Sequence, residues 1–516
     1  MHDPESLAGR LLVLLSTSGL FCARKSRCEI FHATKLMKEL TKNMPIVASP
    51  ADDEDGYRGI RQLIWLYFWL LIFEGALRKW ILPGLSNQLL LVRDPVLLLC
   101  YAVALRKGAF PSRPFIYCIV GLGLAAAFFS IFGMWSGSSR STMVVLLYGL
   151  RSSFLHLPLI FLIAQVFSRR DVERVGSWLL ALAVPMVILV FFQYRAGPES
   201  WVNVGAGGLE GGQIGVAVSG VDKIRPPGVF SYNTGLTAYL SLVAAYLLMH
   251  FLGGGKQYTR WLALAGTFAL VASVPLAMSR STLVSLVVVA CAGFLCIIVH
   301  PEKLSRSLAA VLVPVLAVLV MGRMSFFGEG MEILGERMMG EQGGGIKVGI
   351  FDRAMDSFTK PVKIISEAPF FGAGLGVGSN VGAKLLTGRA GFILSEGEWE
   401  RNVDEMGPLI GLLYIFLRIA IVGHMASVAW KALRRGSTLS FLLLSACGLP
   451  VLNGNFSQPT ALGFSVLVAG LCLAAAKDLE VESVRTRDLD NLPVSPPRIC
   501  GRSAYAERLH GAGRTK

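Results

Sequence analysis

The chain has 516 residues, 53% of them hydrophobic and only 16% charged, against about 25% charged in an ordinary soluble domain. Its apolar residues stand in long blocks, not in short alternating runs, which sets aside a soluble enzyme, a disordered chain, a disulfide-stapled secreted scaffold and an outer-membrane barrel. The net charge of +15 reads as basic residues gathered in the loops and tails on the cytoplasmic side of a membrane, so no nucleic-acid partner is expected.

In chain order, residues 1–58 come first and read as a cytoplasmic extension without a fold of its own. The apolar run Leu11–Phe21 is too short to span a bilayer. Its basic residues Arg24, Lys25 and Arg27 follow the run, the reverse of a signal peptide. Met44 is an alternative start.

Residues 59–476 form the transmembrane domain. Apolar runs bounded by charge, Gly or Pro give twelve expected spans, at about 60–77, 89–105, 114–135, 142–167, 175–194, 234–252, 261–278, 281–299, 307–322, 407–430, 437–452 and 460–476. Basic residues then fall in alternate loops: Arg106, Lys107 and Arg113; Arg169, Arg170 and Arg174; Lys256 and Arg260; Lys303 and Arg306; Lys431, Arg434 and Arg435. The positive-inside rule places all of these loops, and both termini, in the cytoplasm. Two long segments, 195–233 and 323–406, then face outward, into the periplasm of a Gram-negative cell. Loops of that length are where a site is expected. Residues 477–516 read as a disordered cytoplasmic tail. The nine cysteines include no C-x-x-C pair, so no disulfide or zinc motif is expected.

Some residues oppose this pattern. Arg78, Lys79, Arg140, Arg225 and Arg280 all stand at outer span ends, against the orientation rule. Arg78 has Glu74 one helical turn earlier, so a structural pair is expected. Arg225, in Arg225-Pro226-Pro227-Gly228, and Arg280, in the tight turn Ser279-Arg280-Ser281, are better placed for function. A lipid-borne diphosphate would lie at that depth, and guanidinium groups bind phosphate with paired donors. Arg151 and His156 interrupt the fourth run; Glu74 or Asp94 as a structural partner stands level with a functional role. Arg93 and Asp94 read as a pair.

Within 323–406, Ile350, Phe351, Met355, Phe358 and Val362 recur at near-helical spacing. They predict an amphipathic helix on the outer leaflet over 347–365. Gly372, Gly374, Gly376 and Gly378 follow in alternation. They miss the dinucleotide-binding spacing and read as close backbone packing. The acidic stretch Glu396, Glu398, Glu400, Arg401, Asp404 and Glu405 ends the segment, either as solvated charge or as the source of a carboxylate base. None of the seven His lies in a long outer loop, so metal-dependent catalysis there is not expected.

Four elements together resemble the O-antigen ligase and polysaccharide polymerase superfamily of bacteria, over roughly residues 140–476. Arg225-Pro226-Pro227-Gly228-Val229-Phe230 with Asn233 resembles its Arg-x-x-Gly-x-Phe stretch. Ser279-Arg280-Ser281 resembles its Ser-Arg turn. Pro369-Phe370-Phe371-Gly372-Ala373-Gly374-Leu375-Gly376 resembles its Pro-Leu-x-Gly-x-Gly segment, and Arg353 an arginine before it. Glu405-x-Gly407 with Gly411 resembles its Glu-x-Gly-x-x-Gly close. The family's ligases carry a His-Asn pair before that glutamate; Arg401-Asn402 stands here, which makes polymerase the better fit. Phe73–Trp80 and Gly454–Pro459 further suggest a subgroup of exopolysaccharide clusters.

The resemblance implies an all-α, GT-C-like membrane glycosyltransferase of the bacterial inner membrane. Its partners would be a polyprenyl-diphosphate-linked oligosaccharide, the bilayer, and the flippase and chain-length regulator of a polysaccharide cluster. No cofactor is implied. Arg225 and Arg280 would meet the charge of the leaving diphosphate, with Arg353 in support, and Glu405 or Glu400 would take the acceptor's proton. Arg401, Asn233, Gly372 and Gly374 would line the substrate. A ligase and a twelve-helix secondary transporter are the alternatives.

Overall fold

The computed structural model describes residues 56–137, 139–208, 223–253, 257–339, 364–365, 368–388, 391, 393–395 and 397–490. Among them the chain is helical, without strands. The N-terminal extension, the last part of the tail and nearly all of the helix expected at 347–365 lie outside the described residues.

The first helices are α1 (Arg58–Ala76), α2 (Arg93–Arg106), α3 (Pro114–Trp135), α4 (Met143–Leu150), α5 (Pro158–Val166) and α6 (Arg169–Arg195). Then come α7 (Asn233–Leu252), α8 (Arg260–Ala277), α9 (Arg280–Val299), α10 (Leu304–Met321) and α11 (Ser325–Met339). The last are α12 (Asn380–Thr387), α13 (Glu398–Arg434), α14 (Leu439–Asn453) and α15 (Pro459–Asp490). Short polar side chains set several starts. Thr142, Thr259, Ser279 and Ser379 each accept a backbone N–H of the first turn. Ser168 and Asp171 close a reciprocal capping box at α6.

Ten helical segments are long and apolar enough to cross a membrane, α4 and α5 acting together as one. The protein is therefore a multi-pass helical membrane protein. The remaining two expected runs are also helical but fall short of that test in different ways. Residues 308–321 form a pair with the next helix, bent by 106°, and Leu439–Asn453 is a short apolar helix. The central helices are α7 and α15, buried along most of their lengths; α3, α9 and α10 turn apolar faces outward, as lipid-facing helices do. The last helix continues to Asp490, beyond the expected end of the final span.

The stretch 323–406 is not a plain loop. α11 occupies its first part, with Gly330, Ile333 and Leu334 turned inward at helical spacing and Glu329, Met331 and Glu332 exposed. At its far end α13 begins well outside the apolar run and breaks at Gly407 (φ 77°, ψ 165°), just before Pro408. Proline has no N–H to continue the ladder, so Pro408 opens the apolar half of α13 as a new first turn.

Candidate functional site

The C-terminal end of α1 begins a buried polar network. Glu74 accepts Arg93 Nε at 2.8 Å and Arg78 Nη1 at 3.4 Å. The second of these is the expected pair at i,i+4. Arg93 and Asp94 do not pair: adjacent helical residues point about 100° apart, so Arg93 reaches across to α1. Asp94 instead takes Arg151 and His156, the latter at 3.1 Å. His156 Nδ1 meets the Tyr67 hydroxyl at 3.0 Å, and Arg93 Nη1 donates to the same hydroxyl at 3.4 Å. Of the two readings of Arg151 and His156, the structural one has the contacts.

Next to this network lies the turn that carries Arg225. Pro226 and Pro227 have no N–H to satisfy, and Gly228 adopts φ 62°, a region open to glycine. The turn is held from three sides. Gln193, fully buried near the end of α6, accepts Gly228 N at 2.8 Å and donates to Gly228 O at 3.1 Å. Lys79 Nζ donates to the same carbonyl at 3.1 Å. Arg78 Nη1 reaches Ser231 Oγ at 3.3 Å. Gly75 leaves room for the strand of chain beyond, where a Cβ would stand 2.3 Å from Val229 O.

Arg225 leaves this turn half-buried, and its Nε is buried with no hydrogen-bond partner. Burial, and after it the charge of Arg280, holds its guanidinium below the ordinary arginine value. Arg280 opens α9 two residues after Met278, the sole non-glycine residue with positive φ (44°) among the described residues. Arg280 Nη1 donates to Arg337 O at 3.0 Å, and Arg337 Nη1 donates to Met278 O. Among the described residues neither Arg225 nor Arg280 has a carboxylate partner. Two like charges without a counter-ion repel, and a bound anion relieves both. Thr237 and Thr282 tie α7 to α9 by a 2.7 Å hydroxyl contact. Asn233 stands half-buried at the first position of α7.

A second cluster forms around the start of α13. Glu398 is paired with Arg401 at 2.6 Å and Arg418 at 2.7 Å. Arg418 also donates to Val451 O and Gly454 O, each at 2.8 Å, and lies 3.9 Å from the Phe456 ring centroid. Glu405 is buried. Its carboxylate accepts Gly376 N at 3.1 Å and Gly378 N at 2.8 Å, with Arg401 at 3.7 Å. Backbone bonds complete the stitching: Ala373 N to Asp404 O at 2.7 Å and Gly374 N to Glu405 O at 3.1 Å. These satisfy carbonyls left open where α13 breaks.

The alternating glycines are packing positions. A Cβ on Gly372 (φ 74°) would lie 2.3 Å from Glu405 O, one on Gly374 (φ 106°) 2.2 Å from Ser139 Oγ, and one on Gly376 (φ 90°) 2.3 Å from Val145 O. We expect Gly376→Ala to lower stability by more than the ~1–3 kcal/mol of backbone strain alone, because the obstacle is backbone. Thermal unfolding of the purified variant checks this; a melting temperature equal to the parent's would refute it.

Thus the candidates fall into two groups. Arg225 and Arg280 come together. Arg401, Glu405, Gly372 and Gly374 come together elsewhere, and Glu400 sits half-buried on the first turn of α13. The charge of Arg280 acts on Arg225. Arg353 lies outside the described residues. The turn 454–459 bridges the groups. Gln458 Oε1 accepts Thr234 Oγ1 of α7 at 2.8 Å, Ser457 O accepts Tyr148 at 3.2 Å, and Phe456 N donates to Glu398 at 3.4 Å. Sequence reasoning overlooked Gln193, Arg337 and Arg418. Arg418 was within reach, since it interrupts an apolar run as Arg151 does.

The fold and these clusters define a multi-pass helical membrane protein with buried ion networks. No family model matches the chain, and no curated protein is significantly similar to it in sequence.

Proposed function

We propose that this protein polymerises polyprenyl-diphosphate-linked oligosaccharide repeat units into a surface or exopolysaccharide, at the outer face of the bacterial inner membrane. The observation that carries the reading is the Arg225–Arg280 pair: two guanidinium groups, one with a buried unpartnered Nε, and no carboxylate partner among the described residues. Such a site favours a ligand with more than one negative charge.

The topology proposed has twelve spans, counting the bent pair and Leu439–Asn453, and a GT-C-like arrangement. Alternation of the basic loops puts both termini in the cytoplasm and the paired arginines outside. In the reaction, a sugar hydroxyl of the acceptor attacks the anomeric carbon of the lipid-linked glycan. The new glycosidic bond forms as the bond from that carbon to the diphosphate oxygen breaks. The electron pair leaves with the polyprenyl diphosphate, where Arg225 and Arg280 meet the growing charge. The hydroxyl proton passes to a carboxylate. Glu405, which accepts two backbone N–H groups and lies near Arg401, or the half-buried Glu400 would take that role.

Sizing the polyprenyl-linked glycans of a deletion strain tests this. The expected result is accumulation of single repeat units. Full-length polymer stranded on its lipid would instead assign the chain to ligation. An unchanged lipid-linked pool would overturn both and favour transport.

A further inference from the structure

Gln193 is a fully bonded buried amide beside the site, yet it hydrogen-bonds to neither arginine. All of its side-chain bonds go to backbone. Nε2 donates to Val202 O and Gly228 O, each at 3.1 Å, and Oε1 accepts Gly228 N at 2.8 Å. A side-chain amide that both donates to and accepts from one residue holds the two peptide groups that flank that residue's Cα, which a single bond does not. Its own backbone is fixed in turn. Asn203 Nδ2 donates to Gln193 O at 3.1 Å and to Gly197 O at 2.9 Å, closing the end of α6.

Lys79 makes the grip two-sided. It is 2% exposed and has no carboxylate partner among the described residues; its ammonium rests 5.2 Å from the Trp80 ring centroid and donates to Gly228 O. Burying an amine to hold one carbonyl is costly. The residue held is a glycine at φ 62°, packed so closely that a Cβ would stand 2.7 Å from Met186 Sδ. Between Gly228 and Arg225 lie only two prolines, whose ring-locked φ angles transmit the position of one end to the other with little slack.

We propose that Gln193, backed by Lys79, is a positioning residue: it holds Gly228 and, through the rigid Pro226-Pro227 pair, aims Arg225 at the anion shared with Arg280. This rests on the reading of that arginine pair as a diphosphate site. Misplacement of about 1 Å is enough to weaken a paired-donor contact severely.

The test is a double-mutant cycle on the full chain in nanodiscs, reading the dissociation constant for farnesyl diphosphate. Gln193→Leu is expected to weaken binding about tenfold, the scale of one buried hydrogen-bonding group left without its partner. In an Arg225→Ala background the same substitution should change binding less than twofold, because the group it positions is gone. A purely structural role would instead weaken both backgrounds equally. Lys79→Met should reproduce the effect and Lys79→Arg should restore binding, so the idea remains testable if Gln193→Leu does not fold. The proposal is overturned if Arg225→Ala weakens binding while Gln193→Leu and Lys79→Met do not, or if their effects persist unchanged in the Arg225→Ala background. Native-like binding by Arg225→Ala and Arg280→Ala together would overturn the diphosphate reading itself.

Discussion

Alanine at Arg225 or at Arg280 is expected to lower polymer output by about 10²–10³ while the protein accumulates normally. The magnitude follows from the loss of one preorganised donor to charge that develops in a transition state. Two features make the expectation specific. The arginines are fixed before any ligand arrives: Arg225 by the clamped turn at Gly228, and Arg280 by its place at the first position of α9 and its bond to Arg337 O. They also have no carboxylate partner among the described residues, so removing one strands no buried acid and should leave folding intact. Lysine in either place keeps the charge but not the paired donors, and should recover only part of the loss. Polymer yield and lipid-linked intermediates, measured at matched protein levels, check both. Full output from both alanine variants would refute the mechanism.

Glu398→Ala is expected to have the opposite profile, a loss of the fold and not of chemistry. Glu398 serves two fully buried arginines, Arg401 at 2.6 Å and Arg418 at 2.7 Å. Breaking a buried ion pair from one side costs roughly 3–5 kcal/mol, because the remaining charge cannot be rehydrated. Here the acid is shared, and Arg401 retains only the longer contact to Glu405 at 3.7 Å. The variant should therefore accumulate poorly and melt well below the parent in detergent. Glu302, 66% exposed in its pair with His300, provides the contrast: its alanine variant should lie within ~1 kcal/mol of the parent. Equal melting of Glu398→Ala and parent would show that the network contributes little.

The helices were legible because each run of apolar residues satisfies its own backbone bonds, and the run is visible without its neighbours. Local pairing was legible on the same ground: Glu74 and Arg78 meet because they are one turn apart. Pairing between helices was not. Arg93 stands beside Asp94 in the chain, yet joins Glu74, because adjacency along a helix separates side chains instead of uniting them. The Glu405 carboxylate looked available for catalysis, but its partners are backbone N–H groups of Gly376 and Gly378, which no residue pattern advertises. α11 was missed since its inward face mixes Gly330 with Ile333 and Leu334, and glutamates and further glycines interrupt the run. Gln193 was hidden for a similar reason: a single amide in an apolar helix acquires meaning only from the carbonyl it meets.

The bond from Arg93 Nη2 to Pro459 O, 2.7 Å long, joins positions 366 residues apart. It has a bearing on how the chain is made. The second helix enters the membrane with a fully buried arginine whose last acceptor belongs to the final helix, and the start of α4 waits similarly for Ala373, 234 positions later at Ser139. Until synthesis is complete, the early helices hold charges inside the bilayer with only part of their partners. This end of the bundle therefore closes as a late event, after insertion, and shortened chains lacking the last helix should be retained by the insertion machinery or degraded, even though most of the helices they contain are long and apolar enough to cross a membrane.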